Sequence, residues 1–64
     1  MITCTFHLKN RLISVEANTP KDCWEQFIKK YPKQEKEIRQ IDVISPIEKV
    51  SIDTTVFKNT WIND

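Results

Sequence analysis

No glycine occurs anywhere in this 64-residue chain. Glycine enters left-handed backbone at no steric cost, so every turn here must close with negative φ or use a substitute, Asn first among them. The same absence excludes whole chemistries. A Walker A phosphate loop, a GxGxxG dinucleotide loop and a GxSxG nucleophile elbow all require glycine at fixed places. A chain this short forms a single domain, residues 1–64, around one small core. Ten Lys and Arg against nine Asp and Glu leave a net charge of +1. That balance argues against a basic arm or an acidic nucleic-acid mimic as a description of the whole chain. No apolar run approaches the ~20 residues that span a bilayer. No basic-then-apolar leader of secretory type is visible either, so we expect a cytoplasmic protein with no membrane partner.

Ile2, Cys4, Phe6 and Leu8 alternate with Thr3, Thr5, His7 and Lys9, the period of a half-buried strand over residues 2–9. A second strand over residues 12–17 turns Ile13, Val15 and Ala17 one way and Leu12, Ser14 and Glu16 the other. A two-residue loop, Asn10-Arg11, pairs Lys9 with Leu12, Leu8 with Ile13, Phe6 with Val15 and Cys4 with Ala17. This keeps the apolar residues on one face, whereas a slip by one residue would mix the faces. Asn10 is then expected in the left-handed conformation that such a turn needs.

Thr19-Pro20-Lys21-Asp22 combines an N-cap hydroxyl, proline at the first helical position and an acid three residues after the cap. Trp24, Phe27, Ile28 and Tyr31 follow at i, i+3, i+4 and i+7, one apolar stripe with Cys23 beside it. Glu25 and Lys29 face solvent at the favourable i,i+4 spacing. Pro32 ends the helix, because the residue before a proline is pushed out of helical angles. Residues 33–37 are polar and can add a turn of helix. Strands are expected over residues 39–45, with Ile41 and Val43 inward and Ile44 outward, and over residues 50–53. The tail, residues 54–64, reads as either a strand or a short helix capped by Asp53-Thr54-Thr55. The resulting fold class is α+β, a small antiparallel sheet in the order β-β-α-β-β with one amphipathic helix on one face. Its other face, carrying Thr3, Thr5, His7, Lys9, Leu12, Ser14 and Glu16, has no element to cover it.

Catalytic and metal-ligating residues are not assigned. His7 is the only histidine, and its outward strand position gives it no acid or metal partner by sequence. Cys4 and Cys23 lie on core faces without a CxxC spacing, so buried free thiols are expected, with a Cys4–Cys23 bridge as the alternative. Glu35 and Glu37 read as solvated surface. No cofactor is implied. Lys29, Lys30, Lys33, Lys36 and Arg39 make the one local charge excess, net +3 over residues 29–39 once Glu35 and Glu37 are counted. This is either a patch for phosphate or a set of cations complementing a helix C-terminus. Trp61 is either a lid folded on the core or an exposed interface anchor.

The chain's size, the β-β-α-β-β order, the Ala17-Asn18-Thr19-Pro20 segment leading into an amphipathic helix, and the terminal Trp61-Ile62 resemble small phage anti-CRISPR proteins. Some of those carry one helix on an antiparallel sheet and end in a Trp-Ile pair. The resemblance implies a non-enzymatic protein, encoded by a phage or mobile element and acting in the host cytoplasm. Such a protein inhibits a host defence nucleoprotein complex by occupying its surface. Lys29, Lys30, Lys33, Lys36 and Arg39 then supply electrostatic attraction. Lys9 and Arg11 at the hairpin tip, with Thr5, His7 and Leu12 on the open sheet face, supply the footprint. The alternative is a small nucleic-acid-binding or ribosome-associated module. Burial of the open face or of a free strand edge is also expected for so small a core, either by a second copy, forming a homodimer, or by a target that stabilises the monomer.

Overall fold

A computed structural model describes residues 1–63. Four strands, β1 (Ile2–His7), β2 (Leu12–Ala17), β3 (Gln40–Ile44) and β4 (Lys49–Asp53), form one antiparallel sheet in the order β2-β1-β3-β4. Helix α1 (Pro20–Lys30) lies over β1 and β2. The α+β class and the β-β-α-β-β order hold. The tail adds a second helix, α2 (Thr54–Phe57), which runs into a π-helical turn, Lys58–Ile62. This settles the tail in favour of helix; residue 64 lies outside the described residues.

The α1 cap forms as its sequence dictates. Thr19 is extended at the N-cap and its Oγ1 accepts from the Asp22 N–H at 3.1 Å. Tyr31 leaves helical geometry ahead of Pro32, and a 3₁₀ segment, Pro32–Glu37, follows.

The first hairpin departs from expectation. β1 ends at His7, not residue 9, and its register with β2 is displaced by two residues, so Phe6 faces Ile13 and Cys4 faces Val15. Asn10 is not left-handed, since no described residue has positive φ. The two facts share a cause. A two-residue hairpin loop requires left-handed backbone, whereas the four-residue connection through Leu8 and Arg11 closes with negative φ throughout. Its mouth is held by the Leu8 N–H donating to the Arg11 carbonyl at 2.8 Å. Lys9 therefore sits in the turn and not on the sheet face. A displacement of two preserves side-chain parity, so the apolar face survives intact.

That face meets α1 and α2 in one core. Cys4, Phe6, Cys23, Phe27, Ile41 and Phe57 are fully buried, with Trp24, Ile38, Leu8 and Ala17 nearly so. Val15 and Ile28 pack against this cluster half-buried. Phe6 stacks on Phe27, with ring centroids 4.4 Å apart, and Trp24 bridges Phe6 at 6.3 Å to Phe57 at 5.8 Å. The tail helix is drawn in by Phe57 and by Thr54, whose Oγ1 donates to the Ile38 carbonyl at 3.0 Å. Both cysteines are free and buried. The Cys23 thiol donates to the Val15 carbonyl at 3.4 Å, beside Cys4 in the strand pair. Burial pushes both thiols up in pKa, most strongly Cys4, and so holds them protonated and unreactive.

Trp24→Ala should cost about 3–5 kcal/mol, because it opens a cavity between Phe6 and Phe57 in a domain whose whole stability is of that order. Urea unfolding of the variant checks it. Thermal melts with and without reductant should coincide, since the thiols are not bridged.

Candidate functional site

Two surfaces carry polar side chains in organised positions. The first is the end of the sheet where β1 stops and β3 starts. Helix α1 returns to this end, so its last turn meets the hairpin tip. There Tyr31 lies half-buried against Phe27, with ring centroids 5.5 Å apart. The Arg11 guanidinium stands 5.5 Å from the Tyr31 ring centre and the Lys30 ammonium 5.6 Å. Arg39 is tied to the same end by its N–H, which donates to the His7 carbonyl at 2.8 Å. Lys29 lies in the last turn of α1, and Lys33 and Lys36 follow on the 3₁₀ segment. Among the described residues, none of these cations, nor exposed Lys9 at the hairpin tip, forms an ion pair. Of the two acids nearby, Glu35 is turned to the tail, where Lys58 reaches it at 3.4 Å. Glu35 stays 41% exposed, solvated as its sequence implies, and Lys58 offsets its charge at the positive end.

The second surface is the face of the sheet opposite the helices. Thr3, Thr5, His7, Leu12, Ser14 and Glu16 lie on it as the alternation requires, with Gln40, Asp42, Ile44, Lys49, Ser51 and Asp53 from β3 and β4. Its middle row, Ser14–Thr5–Asp42–Ser51, crosses all four strands. Thr5 and Ser14 share a hydrogen bond of 3.0 Å. Leu12 opposes His7 and is largely exposed.

Asp42 is the centre of this face, and sequence reasoning missed it. Its side chain is only 8% exposed. The Ser51 hydroxyl donates to Oδ1 at 2.6 Å and the Gln40 amide to the same oxygen at 3.2 Å. His7 Nε2 lies 2.7 Å from Oδ2. An ionised carboxylate only accepts, so Nε2 carries the proton. Lys49 stands 3.9 Å from the same oxygen. Burial alone would raise the Asp42 pKa. The hydrogen bonds from Ser51, His7 and Gln40, with the nearby His7, outweigh it and bring the pKa down to about 2. His7 therefore does have an acid partner, contrary to its sequence assignment. The partner came into reach through β1–β3 pairing, which joins segments on opposite sides of α1.

Trp61, in the π-helical turn, rests on Phe57 with ring centroids 5.0 Å apart and is half-buried, the lid arrangement. The described residues enclose no pocket, and no three His, Cys, Asp or Glu side chains gather as a ligand set among them. Among the described residues, no helix is long and apolar enough to cross a membrane. Compared with known proteins, the chain matches no family model, no curated protein and no solved structure.

Asp42 dictates a pH dependence. Its folded pKa lies below its ordinary value of 3.8, so its contribution to stability is complete above about pH 4 and is lost as pH falls through about 2. A shift of this size corresponds to about 2 kcal/mol. Asp42→Asn should remove that amount at neutral pH. The difference from wild type, followed by urea unfolding, should shrink between about pH 4 and about pH 2.

Proposed function

We propose that this chain is a small non-enzymatic binding protein that applies its basic end to a host nucleoprotein complex and occludes the surface it covers. The observation that carries this is the Tyr31 ring with both the Arg11 guanidinium and the Lys30 ammonium over it, beside further cations without acid partners among the described residues. Unpaired guanidinium and ammonium groups around a part-exposed aromatic ring suit a phosphate backbone and the bases or side chains next to it. The open sheet face, with Thr5, His7 and Leu12, lies beside this end and enlarges the footprint. In the form implied by the resemblance to phage anti-CRISPR proteins, the complex is an RNA-guided defence assembly and the outcome is inhibition in the host cytoplasm.

A direct nucleic-acid-binding module is the second reading, favoured by the same cations. The two differ in what persists when nucleic acid is removed. Tagged chain mixed with a purified RNA-guided defence complex should retain the complex's protein after nuclease treatment, with modest sensitivity to salt. Retention lost with nuclease, together with tight binding to free RNA or DNA that falls steeply with salt, selects the module instead. In either case Arg11→Glu with Lys30→Glu should weaken binding by about tenfold or more. Both residues are exposed, so the circular dichroism spectrum should not change.

A further inference from the structure

β4 is an edge strand, and its sequence is complementary to itself. From its first residue to its last it reads Lys49, Val50, Ser51, Ile52 and Asp53, a cation at one end, an acid at the other and Ser at the centre. We propose that β4 pairs antiparallel with β4 of a second copy about a two-fold axis through Ser51, joining two sheets into one of eight strands.

The backbone sets which registers are available. In the turn before β4 the Ser45 N–H donates to the Glu48 carbonyl at 2.8 Å, so residues 45 and 48 form a hydrogen-bonded pair. Bonded pairs alternate along an antiparallel ladder. The amides of Val50 and Ile52 therefore point at β3, and those of Lys49, Ser51 and Asp53 point out from the free edge. An axis at Ser51 sets these outward groups against one another. Among the registers that do so, it is the one that engages all five residues. It also places Lys49 opposite the partner's Asp53, and Asp53 opposite the partner's Lys49, on the open face. Val50 then meets the partner's Ile52 on the helix side, which covers a valine that is 41% exposed in the single chain.

Access to the edge is open. The chain leaves β4 inward, since α2 packs over β3 and β4 and Phe57 is buried against Trp24. Asp53 makes no side-chain capping bond to α2, so its carboxylate is free for the partner's Lys49. No proline or bulge interrupts the strand. The other edge lacks this complementarity. The same alternation, begun at the Leu8–Arg11 bond, turns the amides of Leu12, Ser14 and Glu16 outward on β2. Pairing about Ser14 would then set Glu16 against the partner's Leu12, an acid against an apolar side chain.

Five residues make a small interface, so association is weak and shows at high concentration. Analytical ultracentrifugation of the full chain from low micromolar to millimolar should find monomer passing to dimer and no further. Lys49→Asp and Asp53→Lys should each be monomeric alone, because each sets like charges together twice. Mixed in equal amounts the two should associate, and the double variant K49D/D53K should dimerise like wild type. In wild type, amide exchange at residues 49, 51 and 53 should slow as concentration rises. That measurement stands even where a variant folds poorly. A wild type that stays monomeric to millimolar concentration overturns the proposal. So do single variants that dimerise unchanged, exchange that slows at residues 12, 14 and 16 instead, or open-ended oligomers built head to tail.

Discussion

Six aromatic rings touch in one unbroken line, Tyr31, Phe27, Phe6, Trp24, Phe57 and Trp61, and they are all the aromatics the chain has. The line runs from the end of α1, through the inner strand β1, and out along the tail. Each contact adds roughly 0.5–1.5 kcal/mol to what burial alone supplies, a large share in a core this small. More than stability depends on it. Phe27 holds Tyr31 at the surface, and Tyr31 in turn gathers Arg11 and Lys30 from separate elements. The inner packing thus fixes where the outer charge is displayed.

The two faces of the sheet are organised by opposite means. On the helix side, shape and apolar contact decide the arrangement. On the open side, a single buried carboxylate does. Asp42 receives donors from β1, β3 and β4, so it fastens three strands through side chains as well as through their ladders. An apolar residue there would leave His7, Gln40 and Ser51 without their shared acceptor. A buried acceptor with several donors also penalises slipped registers, because any slip separates the charge from its partners.

Local order was legible in the sequence, and cross-strand chemistry was not. The α1 cap at Thr19, its apolar stripe and its end before Pro32 follow from residues close in the chain, and they fold as read. Side-chain parity in β1 and β2 was equally plain. The register between them was not, because loop length depends on backbone angles that Asn10 permits but does not compel. The His7–Asp42 contact spans 35 residues. No periodicity reveals it without knowing that β3 lies beside β1. The basic cluster was visible as composition over residues 29–39, while the part played by Tyr31 was hidden by its place in an apolar stripe. Arg11 was singled out as a hairpin tip, but its seat on Tyr31 needed the helix to return to that end.

Every described residue keeps a negative φ, and glycine is absent. The turns at residues 8–11 and 45–48 are therefore made from backbone open to all L-amino acids. Proline alone is restricted, by its fixed φ, by its effect on the residue before it and by the engaged N–H groups of Leu8, Ser45 and Glu48. What a turn residue contacts, and not how its chain bends, then decides its identity. Such a scaffold can exchange the letters of its rim over generations while the trace beneath stays the same, and a partner that changes its own surface can be followed by loop substitutions alone.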